Sequence, residues 1–196
     1  MRQRAPGSPQ VASVSAGASP TLRAMAERDP DLVKVLLHNR GADPETVWAK
    51  DLGPAPGPEG SRRVRLDNVA LLHAKPTYGD EVVAAPGNGF PLAWDKDGRS
   101  YAQVCRSLAR DSGRWVMIVD YTLDAGTGPQ ACWDVLVAAA QSIDVEPEGA
   151  YGPSDDEPGR GFFAVPSGRS VAEVMSALRN AAPPCALELI HPIDDA

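Results

Sequence analysis

The segment from Trp115 to His191 constrains the fold more than any other part of the chain. Its patterns run in the order strand, helix, strand, strand, helix, strand. Trp115–Leu123 is short, mostly apolar and rich in β-branched residues, which predicts a buried strand. A weaker strand pattern follows at Val145–Tyr151, and two further strands are predicted at Gly161–Val165 and Cys185–Ile190.

Two helices are predicted between these strands. Thr127 and Gln130 have the spacing of a capping box, and Pro129 falls in the first turn, where its missing N–H costs nothing. Ser170 and Glu173 have the same spacing at the start of the second helix. That helix has one apolar face at i, i+3, i+4 and i+7, made of Val171, Val174, Met175 and Leu178.

Two β-α-β halves of this kind predict a ferredoxin-like βαββαβ sandwich, with both helices on one face of a four-stranded antiparallel sheet. The opposite face of that sheet would then be bare. We expect the segment that precedes Trp115 to cover it.

The first half of the chain is predicted to be a run of short antiparallel strands separated by Gly/Pro turns. The strand patterns lie at Leu32–His38, Glu45–Leu52, Arg63–Val69 and Gly79–Ala85, and Pro91–Trp94 is expected to pair back. Tyr101–Ala109 is ambiguous between a strand and a short helix.

The predicted fold class is therefore α+β: a small antiparallel β-barrel-like unit packed on a ferredoxin-like βαββαβ sandwich. Residues 1–30 are rich in Ala, Ser, Pro and Gly, which predicts a disordered N-terminal tail. We assign residues 31–111 to the antiparallel β unit and residues 112–196 to the ferredoxin-like unit. The two units are expected to form one compact domain.

Charge and cysteine content narrow the functional classes. The net charge is −7, which argues against a nucleic-acid binder, since such proteins usually carry a basic face. Cys105, Cys132 and Cys185 are isolated and odd in number, so neither a disulfide scaffold nor a zinc site is indicated. The sequence shows no apolar run of membrane-spanning length and no signal-peptide pattern at the N-terminus, and we expect a cytoplasmic protein.

The sequence carries no recognised catalytic motif. Ser112-Gly113 lacks the flanking pattern of a nucleophile elbow, and Gly87-Asn88-Gly89 is not followed by the Lys-Ser/Thr of a phosphate loop. We therefore predict no catalytic residue, no metal ligand and no cofactor.

Five short motifs occur in a characteristic order. They are Lys34–Leu37, Glu45–Ala49, Val64–Val69, Tyr78–Ala84 and Asp111–Gly113, the last lying just before the Trp115 strand. In order and spacing the chain resembles the bacterial DUF4265 family, a domain of unknown function, over Leu32 to Ile190. The resemblance implies a fold and topology and brings no reaction with it.

The chain departs from the family pattern in two places. It reads Asn68-Val69-Ala70-Leu71 where the family tends to have Asn-x-Pro-aromatic, which would alter any pocket beside Asn68. The loop Gly152–Arg160 is also long.

Two groups of residues are candidate binding positions. The first is Glu45, Asp67, Asn68 and Asp80, which lie near strand ends and are expected to line one mouth of the barrel; alternatively, Asp80 bonds its own turn backbone. Trp48 is either core or an interface anchor. The second group is an acidic loop made of Asp155, Asp156 and Glu157, which is either a solvated loop or a patch that docks a basic partner.

These features favour a non-enzymatic cytoplasmic protein that binds a protein partner with a basic surface, such as an immunity-type or regulatory protein. One alternative is a small-molecule-binding regulatory domain that uses the groove between the two units. The other is an enzyme of unrecognised type, which would need perturbed carboxylates or a Cys-His pair in one pocket.

Overall fold

The computed structural model describes residues 32–38, 44–87, 103–154 and 157–192. The predicted N-terminal tail, the predicted strand Pro91–Trp94 and the candidate residues Asp155 and Asp156 lie outside the described residues.

Five strands of the first half close into a barrel in the order β1-β2-β3-β4-β5. Sequential neighbours are antiparallel, and a parallel pairing of β1 with β5 closes the ring. The strands are β1 (Leu32–Leu37), β2 (Glu45–Pro54), β3 (Arg62–Leu66), β4 (Glu81–Pro86) and β5 (Gln103–Arg110).

Alternation of apolar and polar residues explains why these segments are strands. In β3, Val64 and Leu66 are buried whereas Arg63 and Arg65 are exposed, because successive side chains point to opposite faces of a strand. The inward residues of β1 to β4 make the barrel core with Ala70: Val35, Leu37, Val47, Ala49, Val64, Leu66, Val82 and Ala84.

The second half contains a four-stranded antiparallel sheet in the order β7-β8-β6-β9. Its elements are β6 (Arg114–Leu123), α1 (Pro129–Gln141), β7 (Glu146–Tyr151), β8 (Gly159–Pro166), α2 (Val171–Asn180) and β9 (Cys185–Pro192). Both helices contribute to one hydrophobic core with the sheet, through Leu136 of α1 and Leu178 of α2.

The two predicted capping boxes have different outcomes. At α2 the box is confirmed, because Ser170 Oγ accepts from the backbone N–H of Glu173 and the Glu173 carboxylate accepts from the backbone N–H of Ser170. At α1 it is wrong. The N-cap is Gly128, with Pro129 as the first helical residue, so Gln130 comes one position too early to cap and donates to Asp134 instead.

The two faces of the four-stranded sheet pack against different parts of the chain. Met117 and Phe163 point towards the helices, whereas Val116 and Phe162 point away from them. Val69, Leu71 and Tyr78, from the connection between β3 and β4, pack on this second face. A segment that precedes β6 therefore covers the face that the helices leave bare, as the sequence led us to expect.

Close approach of α1 to β8 requires a glycine at position 161. A Cβ at Gly161 would lie 2.7 Å from the Trp133 indole and 3.0 Å from the Phe163 ring. Real Cβ atoms essentially never come this close to another atom, so a side chain here would push the helix away from the sheet.

The predicted fold class is wrong. The described residues are mostly β, with 46% in strands and 17% in helices, and five strands form a closed barrel; a ferredoxin-like sandwich is not shown. We predicted that the first half would be an antiparallel barrel-like unit. Instead it closes on itself through the parallel β1–β5 pair, and the segment that the sequence left ambiguous, Tyr101–Ala109, overlaps the closing strand β5.

None of the described helices has both the length and the apolar composition that crossing a membrane requires.

Candidate functional site

Residues 67–80, which we call the junction segment, connect β3 to β4 across one end of the barrel. Since neighbouring strands are antiparallel, β2 begins, β3 ends and β4 begins at this end. Four of the predicted binding residues, Glu45, Asp67, Asn68 and Asp80, belong to this end of the barrel or to the segment itself. The structure therefore brings the first predicted group together.

Asp80 anchors the junction segment to the second half. Its carboxylate is fully buried and accepts from the Thr77 N–H at 2.9 Å, the Ser112 N–H at 2.7 Å and the Ser112 hydroxyl at 2.6 Å. The Lys75 ammonium lies 3.4 Å away. Asp80 thus bonds its own turn, as one of the two sequence interpretations held, and its oxygens are occupied by donors of the chain.

Glu45 and Asn68 hold the segment against β2. The two Glu45 oxygens accept from the N–H groups of Leu71 at 2.7 Å and Leu72 at 2.9 Å. The Asn68 side-chain oxygen accepts from the Trp48 N–H at 2.7 Å. In return, the Asp67 N–H donates to the Trp48 carbonyl at 2.8 Å.

The remaining predicted residues lie elsewhere. The Trp48 ring is partly buried, with the Lys34 ammonium 5.2 Å from its centroid. Glu157 lies in the β7–β8 connection, where its N–H donates to Ser154 Oγ at 3.1 Å.

Two glutamates that the sequence analysis did not single out, Glu146 and Glu148, face the junction segment. Glu146 lies opposite Ala164 in the β7–β8 ladder and Glu148 opposite Phe162. Directly opposite residues share a face of the sheet, so both carboxylates lie on the face that the barrel covers. The signal was in the sequence, because a Glu-x-Glu spacing in a strand places both side chains on one side.

The acidic seam is our name for Glu45, Asp67, Glu146 and Glu148. Burial raises the pKa of the Glu148 carboxyl to about 7, and the negative charges of Glu146 and Glu45 add to this. Burial also raises the pKa of Glu146, with Asp67 and Asp144 adding to the shift and Arg114 opposing it. Among the described residues, no cation opposes the shift at Glu148.

Arg114 is the cation beside the seam, and it is already engaged. Its guanidinium donates to both carboxylate oxygens of Asp144 at 3.0 Å and to the Ala164 carbonyl at 3.1 Å. It also lies 5.5 Å from the centroid of the Tyr78 ring. Burial raises the pKa of the Tyr78 hydroxyl, with Glu146 and Asp67 adding to the shift, so the phenol stays neutral at physiological pH.

A polar cleft of about 510 Å³ opens between the barrel and the start of β6. Its walls include Tyr78 and Ser112 together with three arginines and three carboxylates: Arg65, Arg110, Arg114, Asp67, Glu81 and Asp111. The Arg110 side chain is 77% exposed and lies 3.7 Å from Glu81, so this ion pair is loose. The cleft shares Asp67 with the seam but differs from it in carrying two exposed cations, Arg65 and Arg110.

His38 and Cys105 contribute to the wall of a smaller cavity of about 270 Å³. The enzyme alternative requires a cysteine and a histidine in one pocket, and these two residues line the same cavity. However, burial raises the pKa of the Cys105 thiol, whereas an activated cysteine nucleophile has a lowered pKa. The chemistry of this cavity therefore does not favour nucleophilic catalysis.

Within the described ranges, no group of three or more His, Cys, Asp or Glu side chains could hold a metal ion. In the junction segment, His73 Nε2 and Thr77 Oγ1 are buried with no hydrogen-bond partner in the described structure. We find no physical reason for these two unpaired atoms.

Comparison with known proteins gives little guidance. No protein-family model matches the chain, and no curated protein matches it. Among solved structures, it is similar to a hypothetical protein from Neisseria gonorrhoeae, with 10% sequence identity and a TM-score of 0.37, over 83% of this chain and 95% of that one. A similarity at this level supports no conclusion about fold or function.

Proposed function

We propose that this chain is a non-enzymatic protein that binds a protein partner with a basic surface, through the acidic seam. The observation that carries the proposal is the clustering of four carboxylates, none of them fully buried, whose mutual repulsion adds to the raised pKa values of Glu146 and Glu148. A lysine or arginine of a partner would supply the missing charge. Complementary charge of this kind both selects a partner and speeds its encounter.

An exposed apolar side chain lies beside the carboxylates. Leu72 is 55% exposed, and its N–H donates to Glu45 of the seam. Protein interfaces combine an apolar centre with a polar, charged rim, so Leu72 and the seam together offer both kinds of contact. A partner with an apolar residue next to its cations would fit this surface.

The biological class that we propose is an immunity-type or regulatory protein located in the cytoplasm. Three isolated cysteines in the sequence are typical of a reducing compartment. Membership of the DUF4265 family is part of the same proposal, supported by the order and spacing of the five sequence motifs.

Affinity capture with matched variants tests the proposal. The tagged full-length chain should retain a stoichiometric partner, and retention should weaken as the salt concentration rises. The double variant Glu146→Gln with Glu148→Gln should lose that partner. The control variant, Glu188→Gln, removes an exposed carboxylate from β9 and should retain it. Equal recovery by the seam variant and the control would contradict the proposal.

The polar cleft supports a second candidate function, the binding of a small anionic metabolite. Arg65, Arg110 and Arg114 contribute to the cleft wall, and guanidinium groups bind carboxylates and phosphates in a bidentate manner. A panel of phosphorylated and carboxylated metabolites should then contain a compound that raises the melting temperature. The variant Arg65→Gln with Arg110→Gln should abolish that rise, whereas the seam variant should keep it.

A further inference from the structure

Two cysteines that are 53 residues apart in sequence meet at one end of the four-stranded sheet. Cys132 lies near the start of α1 and Cys185 is the first residue of β9. Their Sγ atoms are 2.7 Å apart, and both residues are free cysteines. Because the sulfurs of a disulfide are about 2.05 Å apart, bond formation needs a movement of less than roughly 1 Å.

The two thiols differ in accessibility. Cys132 is completely buried, whereas Cys185 is partly exposed. Cys185 pairs with Leu123 in the β6–β9 ladder. The partial exposure of Cys185 is therefore what makes it the thiol that a small molecule reaches first.

We propose that Cys132 and Cys185 form a reversible disulfide by exchange with a small-molecule disulfide such as oxidised glutathione. This pair is a modification site separate from the acidic seam and the polar cleft. It does not depend on the proposed binding function.

The exchange has two balanced steps. The Cys185 thiolate attacks one sulfur of the small disulfide, which forms a mixed disulfide and releases one small thiolate that takes up a proton. Cys132 then loses its proton and attacks Cys185 Sγ, which forms the Cys132–Cys185 bond and releases the second small thiol. Two protein thiols are oxidised, and one small disulfide is reduced to two thiols.

The surroundings of the pair slow this exchange at neutral pH. Burial raises the pKa of both thiols, and the carboxylate of Asp124 adds to both shifts. The Tyr121 hydroxyl also faces the pair, and burial raises its pKa to about 12, so it stays neutral. Since the thiolate is the nucleophile, the rate should rise up to about tenfold for each pH unit above 7.

The bridge would fasten the start of α1 to the start of β9. A cross-link between residues this far apart restricts the unfolded chain and raises the melting temperature. The oxidised protein should therefore melt several degrees above the reduced protein.

Thiol counting and mass spectrometry on the full-length protein test the proposal. The native chain, incubated with excess oxidised glutathione at pH 8, should lose two of its three thiols and two hydrogens, with no glutathione retained on the pair. Peptide mapping should find Cys132 joined to Cys185. A reductant should restore all three thiols.

Three variants complete the test. Cys105→Ala should still form the bridge. Cys185→Ala should form none, and Cys132→Ala should retain glutathione on Cys185; a melting curve for each establishes that it folds. A stable glutathione adduct on Cys185 of the wild-type chain, three unreacted thiols, or a bridge that maps to Cys105 would each overturn the proposal.

Discussion

Replacing Glu148 by Gln should make the protein more stable at high pH and leave its stability almost unchanged at low pH. The folded-state pKa of Glu148 is about 7, against an ordinary value of 4.5. The folded state therefore holds this proton more tightly than the unfolded state does. Stability from the protonated carboxyl is fully present below about pH 4.5 and is lost as the pH rises through 7.

The size of the effect follows from the pKa difference. Each pKa unit corresponds to about 1.36 kcal/mol, so the full shift would correspond to about 3 kcal/mol. Glu148 is partly exposed, and solvent screening reduces this to about 2 kcal/mol. Glutamine keeps the shape of the protonated carboxyl and has no charge, so the variant should be about 2 kcal/mol more stable than the wild type at pH 8.

Urea denaturation of both proteins at pH 4.5, 6 and 8 measures this difference. Glu188→Gln is the control, because it makes the same chemical change at an exposed glutamate of the edge strand β9. The reasoning would be refuted if the difference between Glu148→Gln and the wild type stayed constant from pH 4.5 to pH 8.

Four further substitutions test how the fold is held together, each by chemical denaturation. Asp80→Ala should cost about 3 kcal/mol, because it leaves three donors and an ammonium group without their buried acceptor; a cost below about 1 kcal/mol would contradict the anchoring role. Ser170→Ala should cost about 1 kcal/mol by removing the N-cap of α2, whereas Thr127→Ala should cost clearly less because Thr127 does not cap α1. Gly161→Ala should cost about 1–3 kcal/mol, because the new methyl group overlaps the Trp133 indole, and near-wild-type stability would show that α1 can move aside.

Local sequence patterns identified most strands and one of the two caps. The alternation of Arg63, Val64, Arg65 and Leu66 is enough to predict β3, because successive side chains of a strand point to opposite faces. The Ser170 capping box is equally local. Such features are readable because the interacting groups lie within a few residues of each other.

The closure of the barrel was not readable in this way. It depends on β1 pairing with β5, whose partners Val35 and Gln103 are far apart in sequence. No periodicity within either strand specifies its neighbour. The prediction of an antiparallel barrel-like unit therefore missed the parallel pair that closes the barrel.

In the candidate site, too, the local features were predicted and the contacts between distant residues were missed. Turn chemistry predicted that Asp80 bonds its own backbone, and the positions of Glu45 and Asn68 near strand ends led us to expect both at one mouth of the barrel. The perturbed carboxyl of Glu148 was missed because its pKa depends on burial beneath a distant segment. The meeting of Cys132 with Cys185 was missed for the same reason, since each looks isolated along the chain.

The junction segment packs against both the barrel core and the four-stranded sheet, and this limits how the chain can be cut into fragments that fold. Ala70 points into the barrel core, whereas its neighbours Val69 and Leu71 pack on the sheet. One short stretch of backbone thus contributes side chains to two separate hydrophobic cores. A fragment that began at Ser112 would expose Val116 and Phe162 to water. Grafting either half onto another protein would therefore require including the junction segment.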